Sequence, residues 1–586
     1  MGFHKLIGQP QPGSISLNRD SQENRPANPA SLELPAGEIS SSSPAAGISG
    51  TARQLLSFCF RERVWLVSMA VFVLAWTIEL YVIQAVTLVY PNETGARFAF
   101  FAPKIRLVLD LLFVLSLSFL LRRRWLAVAV SGGFFAYLGL ITYFQYFRRP
   151  LSLLTLFANW REGSGVSLLG PGLFSQKVAF WLTLALVVQL VALWCSRRVA
   201  LPRRCGWLAG GVLAVGYVAL YSVANYCDPL DTIKITHGVG RLGEIRGYLG
   251  PWFAEWYYLR DDDILEFALK RREIVYDRLS PVEAEIPIHK HLVILQAESL
   301  DYNVLGCRAN GQVVTPFMNS LRDLSMFYRV QAIHKNGSAD ADFAALNAVA
   351  GSDHTVTYKI SGYPYQNTTP ELLADCGYSV CAFHGNSGEF YDRRKAFEKM
   401  GFTELAFREE LEGRYQLKSD RWGVPDREVL NLSAQLLRTS TGRACHFIIT
   451  LTTHLDYSQL PDEHEIYSQP ATMVERYLNN MRYLDNCLCD YITKLGSGTT
   501  VMIYADHPTE EGNREFEPDR AAGREFIPCF IFDTDQDLSK VQKTRVDPRA
   551  GDGSWNLIDV INYLRKQVAR SCEQAHATEP VPSEAQ

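Results

Sequence analysis

Four short apolar runs in the second half of the chain each end on a residue able to ligate a metal or move a proton. HLVILQAESL reaches Glu298, YSVCAFHGN reaches His384, FIITLTTHLDY reaches His454, and TVMIYADHP reaches Asp506 and His507. Runs of this kind read as buried strands, and in open α/β sheets ligands bind at the carboxyl ends of the strands. Four separate strands therefore deliver polar groups to one rim. A fifth element supplies a hydroxyl. HKNGSADADFAALNAVAG reads as a loop entering a helix, with Gly337 permitting a tight approach and Ser338 at the N-cap or first turn. Backbone N–H groups and the helix dipole at that point favour an anion and lower the cost of a serine alkoxide.

Glu298, Asp506 and His507 offer two carboxylates and an imidazole, a set suited to a hard-to-borderline divalent metal, with Ser338 Oγ as a fourth ligand. A metal on the serine oxygen depresses its pKa and creates a nucleophile. Taken singly, each piece has a plainer reading: Ser338 as an ordinary N-cap, Asp506-His507 as a solvated strand end. Their convergence on one rim is what points to chemistry.

These residues need a scaffold, and the alternation of short β-rich runs with helical stretches over 289–568 predicts an α/β sheet covered on both faces. The whole-chain averages conceal a second, unlike part. A net charge of -4 gives no argument for nucleic-acid binding, while 47% hydrophobic and 20% charged residues exclude whole-chain disorder and a purely membrane-embedded protein. Residues 1–60, rich in Ser, Pro, Gly and Asn, read as a disordered cytoplasmic tail. Within 61–227 five apolar stretches (64–90, 105–121, 125–147, 178–195 and 207–226) are each long enough to cross a bilayer at about 1.5 Å per residue, so the fold class is a five-helix transmembrane region followed by the α/β domain.

Orientation follows from charge. Arg61 and Arg63, then Arg122 to Arg124, then Arg197, Arg198, Arg203 and Arg204 all fall on one side, which predicts a cytoplasmic N-terminus and an extracytoplasmic C-terminal domain anchored in the inner (cytoplasmic) membrane. PLSLLTLFANW, between the third and fourth stretches, suits an interfacial segment anchored by Trp160 and Arg161. Glu79 and Asp110 sit inside apolar runs, where a carboxylate is either functional or satisfied by a neighbouring helix. Residues 228–288 read as a juxtamembrane linker, in which HGVGRLG is a turn rather than a dinucleotide fingerprint, and 569–586 as a disordered tail. Twelve cysteines without a CxxC pair exclude a disulfide scaffold. Cys487 and Cys489 point to different helix faces, and Cys376 and Cys381 flank a turn across which they could pair in an oxidised domain.

QAESL, TPFMNSL, GSADADFAALNAV, FHGNSGEFYDRRKAFEKMGF, ITLTTHLDY and YADH, in that order, resemble the catalytic domain of lipoteichoic acid synthase and related phosphoglycerol transferases of the alkaline phosphatase and sulfatase superfamily. The five-span region and interfacial segment resemble that family too. The resemblance implies that Glu298, Ser338, Asp506 and His507 hold one divalent metal, Mn2+ in the first place with Zn2+ or Mg2+ as options, and that Ser338 is the nucleophile. It places His384, Arg393 and His454 at positions that hold the phosphate and head group, with Tyr391 where the family commonly has tryptophan. Arg393 then serves as an anion clamp, its fork matching phosphate geometry. The family usually has threonine at the position of Ser338 and lysine at that of Gly337, and the closing stretch GDGSWNLIDVINYL matches poorly, which bears on acceptor specificity.

The implied activity is transfer of phosphoglycerol from a phospholipid donor, phosphatidylglycerol, to an extracytoplasmic glycan or glycolipid hydroxyl through a covalent serine intermediate. Phosphoethanolamine transfer would use the same metal and nucleophile. Hydrolysis as a phosphodiesterase or sulfatase is a further reading, although no C/S-x-P-x-R sequence for a formylglycine is present. A non-enzymatic receptor is disfavoured by retention of all four metal-position residues.

Overall fold

The computed structural model describes residues 63–87, 102–147, 176–196, 203–227, 265–266, 268–270 and 286–578, the last apart from 335, 353–354, 421, 455–456, 458–465, 510–524 and 536–554. The N-terminal tail, the interfacial segment, the HGVGRLG turn and most of the linker lie outside the described residues.

Five helices occupy the five apolar stretches: α1 (Arg63–Thr87), α2 (Ala102–Leu120), α3 (Arg123–Phe147), α4 (Gln176–Cys195) and α5 (Arg203–Cys227). Three of them, through Arg63–Tyr81, Arg123–Ile141 and Gly206–Ala224, are long and apolar enough to cross a membrane. The expected count of five is therefore met in helices but not in hydropathy. The first half of α2 carries Lys104, Arg106 and Asp110, and α4 offers only a shorter apolar run, Phe180–Cys195. Large apolar side chains such as Phe135, Trp181, Leu208 and Val212 face outward from these helices, as lipid-facing positions do.

Two of the arginine-bearing connections lie beside the ends of other helices. Arg123, at the corner between α2 and α3, donates to the Leu193 carbonyl from Nε at 2.8 Å and Nη2 at 2.7 Å, so that corner lies beside the C-terminal end of α4. The start of α5 meets the end of α2: a Cβ on Gly206 would lie 3.2 Å from the Phe119 carbonyl, and one on Gly210 would lie 2.6 Å from Leu120 Cγ. Close backbone approach through small residues is how helices associate where water supplies no hydrophobic drive. Glu79 and Asp110 are both buried within the helices, and Gln189 of α4 donates to the Glu79 carboxylate.

The second region is a seven-stranded sheet in the order β4-β9-β8-β1-β7-β5-β6, with a separate two-stranded ribbon of β2 (Arg308–Ala309) and β3 (Gln312–Val313). Its strands are β1 (His291–Ala297), β4 (Met326–Gln331), β5 (Tyr378–His384), β6 (Glu404–Ala406), β7 (Arg443–Ile449), β8 (Thr499–Ala505) and β9 (Phe526–Asp533). β8, β1, β7, β5 and β6 run parallel, and β9 pairs antiparallel with both β8 and β4. Every residue of β8 is buried and β1 is buried from Leu292 onward, which is why these strands read as continuous apolar runs rather than alternating ones.

The helices used below are α6 (Ser338–Asn347), α7 (Thr369–Asp375), α8 (Asp426–Thr439), α9 (Met473–Leu495) and α10 (Leu557–Thr578). Thr368 with Glu371 and Thr472 with Glu475 form capping boxes that start α7 and α9. The expected tail from 569 begins too early: α10 continues to Thr578. Its buried stripe of Leu557, Ile561, Leu564 and Val568 has helical spacing, and Cys572 prolongs it against the same core. Cys376 and Cys381 are free thiols, one capping α7 and the other inside β5. Cys487 is buried and Cys489 is not, as their spacing requires.

Candidate metal centre and active site

β1 and β8 lie side by side with Ala297 level with Ala505, so the residues that follow them emerge together at the carboxyl rim. Those residues are Glu298 and Asp506-His507. Ser299 turns through φ 51°, and its N–H donates to Asp506 Oδ1 at 2.7 Å. The His507 N–H donates to the same oxygen at 2.7 Å. The other oxygen, Asp506 Oδ2, is buried without a hydrogen bond. His507 Nδ1 lies 2.9 Å from the Pro508 carbonyl. A carbonyl can only accept, so the ring proton is on Nδ1 and Nε2 presents a lone pair.

Ligand atoms of Glu298, Asp506 and His507 lie within 4.8 Å of one another, and all three residues are buried. Burial pushes the Asp506 carboxyl up to about 7, and the Glu298 carboxylate adds to that shift. A divalent cation between the two carboxylates reverses both effects. Oδ2 buried without a hydrogen bond, the Nε2 lone pair turned toward the carboxylates, and the two-carboxylate, one-imidazole donor set therefore fit a divalent metal.

Gly337, at φ 91°, caps α6 and turns the chain so that Ser338 begins the helix. That φ is one an L side chain rarely adopts. The loop is braced from behind: the Asn336 N–H donates to Asp340 Oδ2 at 2.6 Å and Asn336 Nδ2 donates to the Ser352 carbonyl at 2.6 Å. Ser338 Oγ consequently sits 3.1 Å from Glu298 Oε2 and 3.2 Å from His507 Nε2. The hydroxyl, both carboxylates and the imidazole expected to act together are brought together.

The residues expected to hold the head group form a neighbouring group. Asp342 stands one helical turn after Ser338, on the same face of α6. It accepts from Arg393 Nε at 2.7 Å and from the Tyr358 hydroxyl at 2.7 Å. Arg393 and Asp342 are both buried; burial pushes the Asp342 carboxyl up to about 6, against the opposing pull of Arg393. Tyr391 and Asp392 adopt consecutive left-handed conformations, φ 61° and 59°, and the Arg393 guanidinium carbon lies 5.2 Å from the centre of the Tyr391 ring. Two such residues in sequence are a local strain of the kind that clusters at working sites.

His384, at the end of β5, has Nδ1 3.1 Å from the Ile449 carbonyl, so it too carries its proton on Nδ1. Burial, followed by the Arg393 charge, drives its pKa down to about 3. His384 is therefore a neutral imidazole with an accepting Nε2, which suits a hydroxyl or ammonium of a head group better than a phosphate oxygen. His454 follows β7 and lies against Trp422, ring centres 4.7 Å apart.

Several of these supports are not evident from motifs. Asp426, at the start of α8, accepts from the Leu451 and Thr452 N–H groups at 2.7 and 2.8 Å and so shapes the turn carrying His454. Thr450 Oγ1 accepts from the Glu298 N–H at 2.9 Å, joining the β7 rim to the β1 rim. Gly423 lets the Trp422 segment cross the β5 rim, since a Cβ there would lie 2.1 Å from the Gly385 carbonyl. The carboxylates of Asp342 and Asp426 lie in helical segments, where the sequence marks them only as ordinary first-turn or surface acids.

The chain is similar to known proteins over this region. Residues 290–550 match the sulfatase family model. A lipoteichoic acid synthase of Staphylococcus saprophyticus is 25% identical over 264 residues, 42% of this chain and 40% of that protein. The lipoteichoic acid synthase-like YvgJ of Bacillus subtilis is 24% identical over 259 residues, 42% of this chain and 41% of that protein. The chain thus spans about two fifths of the length of these curated relatives. Among solved structures, the integral membrane lipooligosaccharide phosphoethanolamine transferase A of Neisseria meningitidis aligns over 86% of this chain and 95% of its own, with 13% identity and a TM-score of 0.50. That likeness is one of fold, and its coverage extends beyond the sheet into the helical region. The part of the chain that carries the rim, residues 290–550, is thus similar to sulfatases, and its relatives are lipoteichoic acid synthases and proteins like them.

Proposed function

We infer that the protein is a membrane-anchored transferase that moves phosphoglycerol from phosphatidylglycerol to an extracytoplasmic glycan or glycolipid hydroxyl, with its N-terminus in the cytoplasm and its sulfatase domain outside. The observation that carries this reading is the placement of Ser338 Oγ 3.1 Å from Glu298 Oε2 and 3.2 Å from His507 Nε2, at a helix N-terminus. Glu298, Asp506, His507 and Ser338 would hold one divalent cation, with Mn2+ favoured by the family resemblance. Such a cation supplies charge that lowers the serine pKa and offsets the negative charge of the phosphoryl group.

The remaining work falls to the chain. Ser338 Oγ attacks the donor phosphorus; the bond from phosphorus to the diacylglycerol oxygen breaks, and diacylglycerol leaves with a proton. The α6 N-terminus favours the anionic centre through its N–H groups and dipole. Arg393, held by Asp342 through Nε, directs its terminal nitrogens at nonbridging oxygens. Neutral His384 accepts a hydrogen bond from the head group through Nε2, and His454, held by Trp422 and the Asp426 turn, borders the same space. An acceptor hydroxyl then displaces Ser338 and regenerates it. Helices that keep the domain at the bilayer raise the effective concentration of a lipid donor.

Incubating the purified full-length protein and Mn2+ with phosphatidylglycerol or phosphatidylethanolamine, and following diacylglycerol release, tests this. Release from phosphatidylglycerol is expected. Release from phosphatidylethanolamine alone would make it a phosphoethanolamine transferase, and release from neither, with acceptor glycolipids present, would refute the transferase reading.

A further inference from the structure

Two helices of the sulfatase domain meet in a way that brings together cysteines almost two hundred positions apart in sequence. Arg565 of α10 donates from Nη1 to Thr369 Oγ1 at 3.0 Å and from Nη2 to the Asn367 carbonyl at 2.7 Å, at the start of α7. Seven residues on from Arg565 and from Thr369, about two helical turns, stand Cys572 in α10 and Cys376, the residue that caps α7. The two helices are in contact, and an equal advance along both brings the two cysteines into the same neighbourhood. Both are free thiols, and Cys572 is near enough to Cys376 to raise the pKa of its thiol. Cys376 is buried, Cys572 is partly exposed, and Cys572 lies against the hydrophobic core that includes Cys376. The backbone at Cys376 is fixed by Arg443 Nη1, which donates to its carbonyl at 3.2 Å.

We propose that Cys376 and Cys572 form a disulfide that clamps the last helix to the sheet domain. The proposal rests on the outward placement of the domain inferred above, because such bonds persist in oxidising compartments. The exposed Cys572 thiolate attacks a sulfur of a protein or small-molecule disulfide, expelling one thiolate and leaving a mixed disulfide. Cys376, as thiolate, then attacks Cys572 Sγ and expels the second. Two protons and two electrons leave the cysteine pair, and the acceptor disulfide is reduced to two thiols. Burial, then the neighbouring Cys572, pushes the Cys376 thiol up to about 12, so the first attack falls to Cys572 and the closing step is the slow one. The bond would close a loop containing β5 to β9, and a long closed loop restricts the unfolded chain most. α10 also packs against α6, so the clamp stabilises the helix that begins with Ser338.

The test uses full-length protein, acid-quenched in membranes, alkylated without reductant and mapped by mass spectrometry. A peptide joining the Cys376 and Cys572 segments is expected. Alkylation of both thiols, in cells where a C-terminal reporter shows the domain to be outside, overturns the proposal. If the reporter shows the domain inside, the topology is what has failed. The pairing is then read on purified protein equilibrated with glutathione disulfide, where a Cys376–Cys572 link supports the geometry and any other pairing, or none, refutes it. Cys572→Ser is expected to lower Tm of the oxidised protein by on the order of 5–10 °C, with no effect of Cys489→Ser. An unchanged Tm in Cys572→Ser refutes the clamp.

Discussion

Arg393 Nε donates to Asp342 Oδ2 at 2.7 Å with both side chains buried, so the guanidinium expected to face a phosphate is first fixed by a carboxylate one helical turn from Ser338. A planar fork can bind a carboxylate along one edge and still present its terminal nitrogens. Arg393→Lys is therefore expected to reduce turnover by on the order of tenfold to a hundredfold, the loss of one charge-assisted contact worth about 1.5–3 kcal/mol. Steady-state rates on protein whose folding is verified by circular dichroism check this; near wild-type turnover assigns Arg393 a purely structural role.

Ser338→Ala should abolish both turnover and a covalent adduct, while Ser338→Thr, which keeps a hydroxyl at the same helix N-terminus, should retain part of each. Intact-mass analysis after exposure to phosphatidylglycerol reads the adduct as a glycerophosphate on the segment containing Ser338. Full turnover by Ser338→Ala would replace the two-step scheme with direct attack by the acceptor or by water.

Glu298→Gln and Asp506→Asn each delete a ligand charge at the sheet rim without emptying core volume, so bound metal should fall while the fold persists. Elemental analysis of dialysed protein measures it, and chelation of the wild type should cost activity that Mn2+ restores. Unchanged stoichiometry in both variants would move the metal elsewhere.

His384 gives a pH signature with a definite sign. Its folded pKa is depressed to about 3, against about 6.5 in an unfolded chain. Between those values the unfolded state binds a proton that the folded state does not, so this residue's contribution is present above about 6.5 and is lost as pH falls toward 3. In thermal melts from pH 7 to pH 4, the wild type should lose Tm relative to His384→Gln as the solution is acidified. Parallel curves would mean that His384 is protonated in the folded protein.

A reporter active only outside the cytoplasm should be active when fused after Gln586. The fusion point matters because α10 runs to Thr578, and joining at Val568 would cut a helix whose stripe is buried. Activity of a cytoplasmic reporter at the same site would reverse the topology.

What the sequence determined by itself is whatever depends on residues close along the chain. Buried parallel strands announce themselves as unbroken apolar runs, and each run ends where its strand ends, which is why Glu298, His384, His454, Asp506 and His507 were legible as rim residues and Ser338 as the start of a helix. Apolar stretches likewise marked the five N-terminal helices among the described residues, although composition left only three of these long and apolar enough to span. Tertiary structure decided what depends on contacts between distant segments. Asp342 becomes the partner of Arg393, and Asp426 the brace of the His454 turn, only once α6, α8 and the strand ends share one rim. The protonation of His384 depends on its burial and on which carbonyl its Nδ1 meets. Cys376 lies five residues from Cys381 in sequence, yet the cysteine that raises its pKa is Cys572, brought near by the contact between α7 and α10.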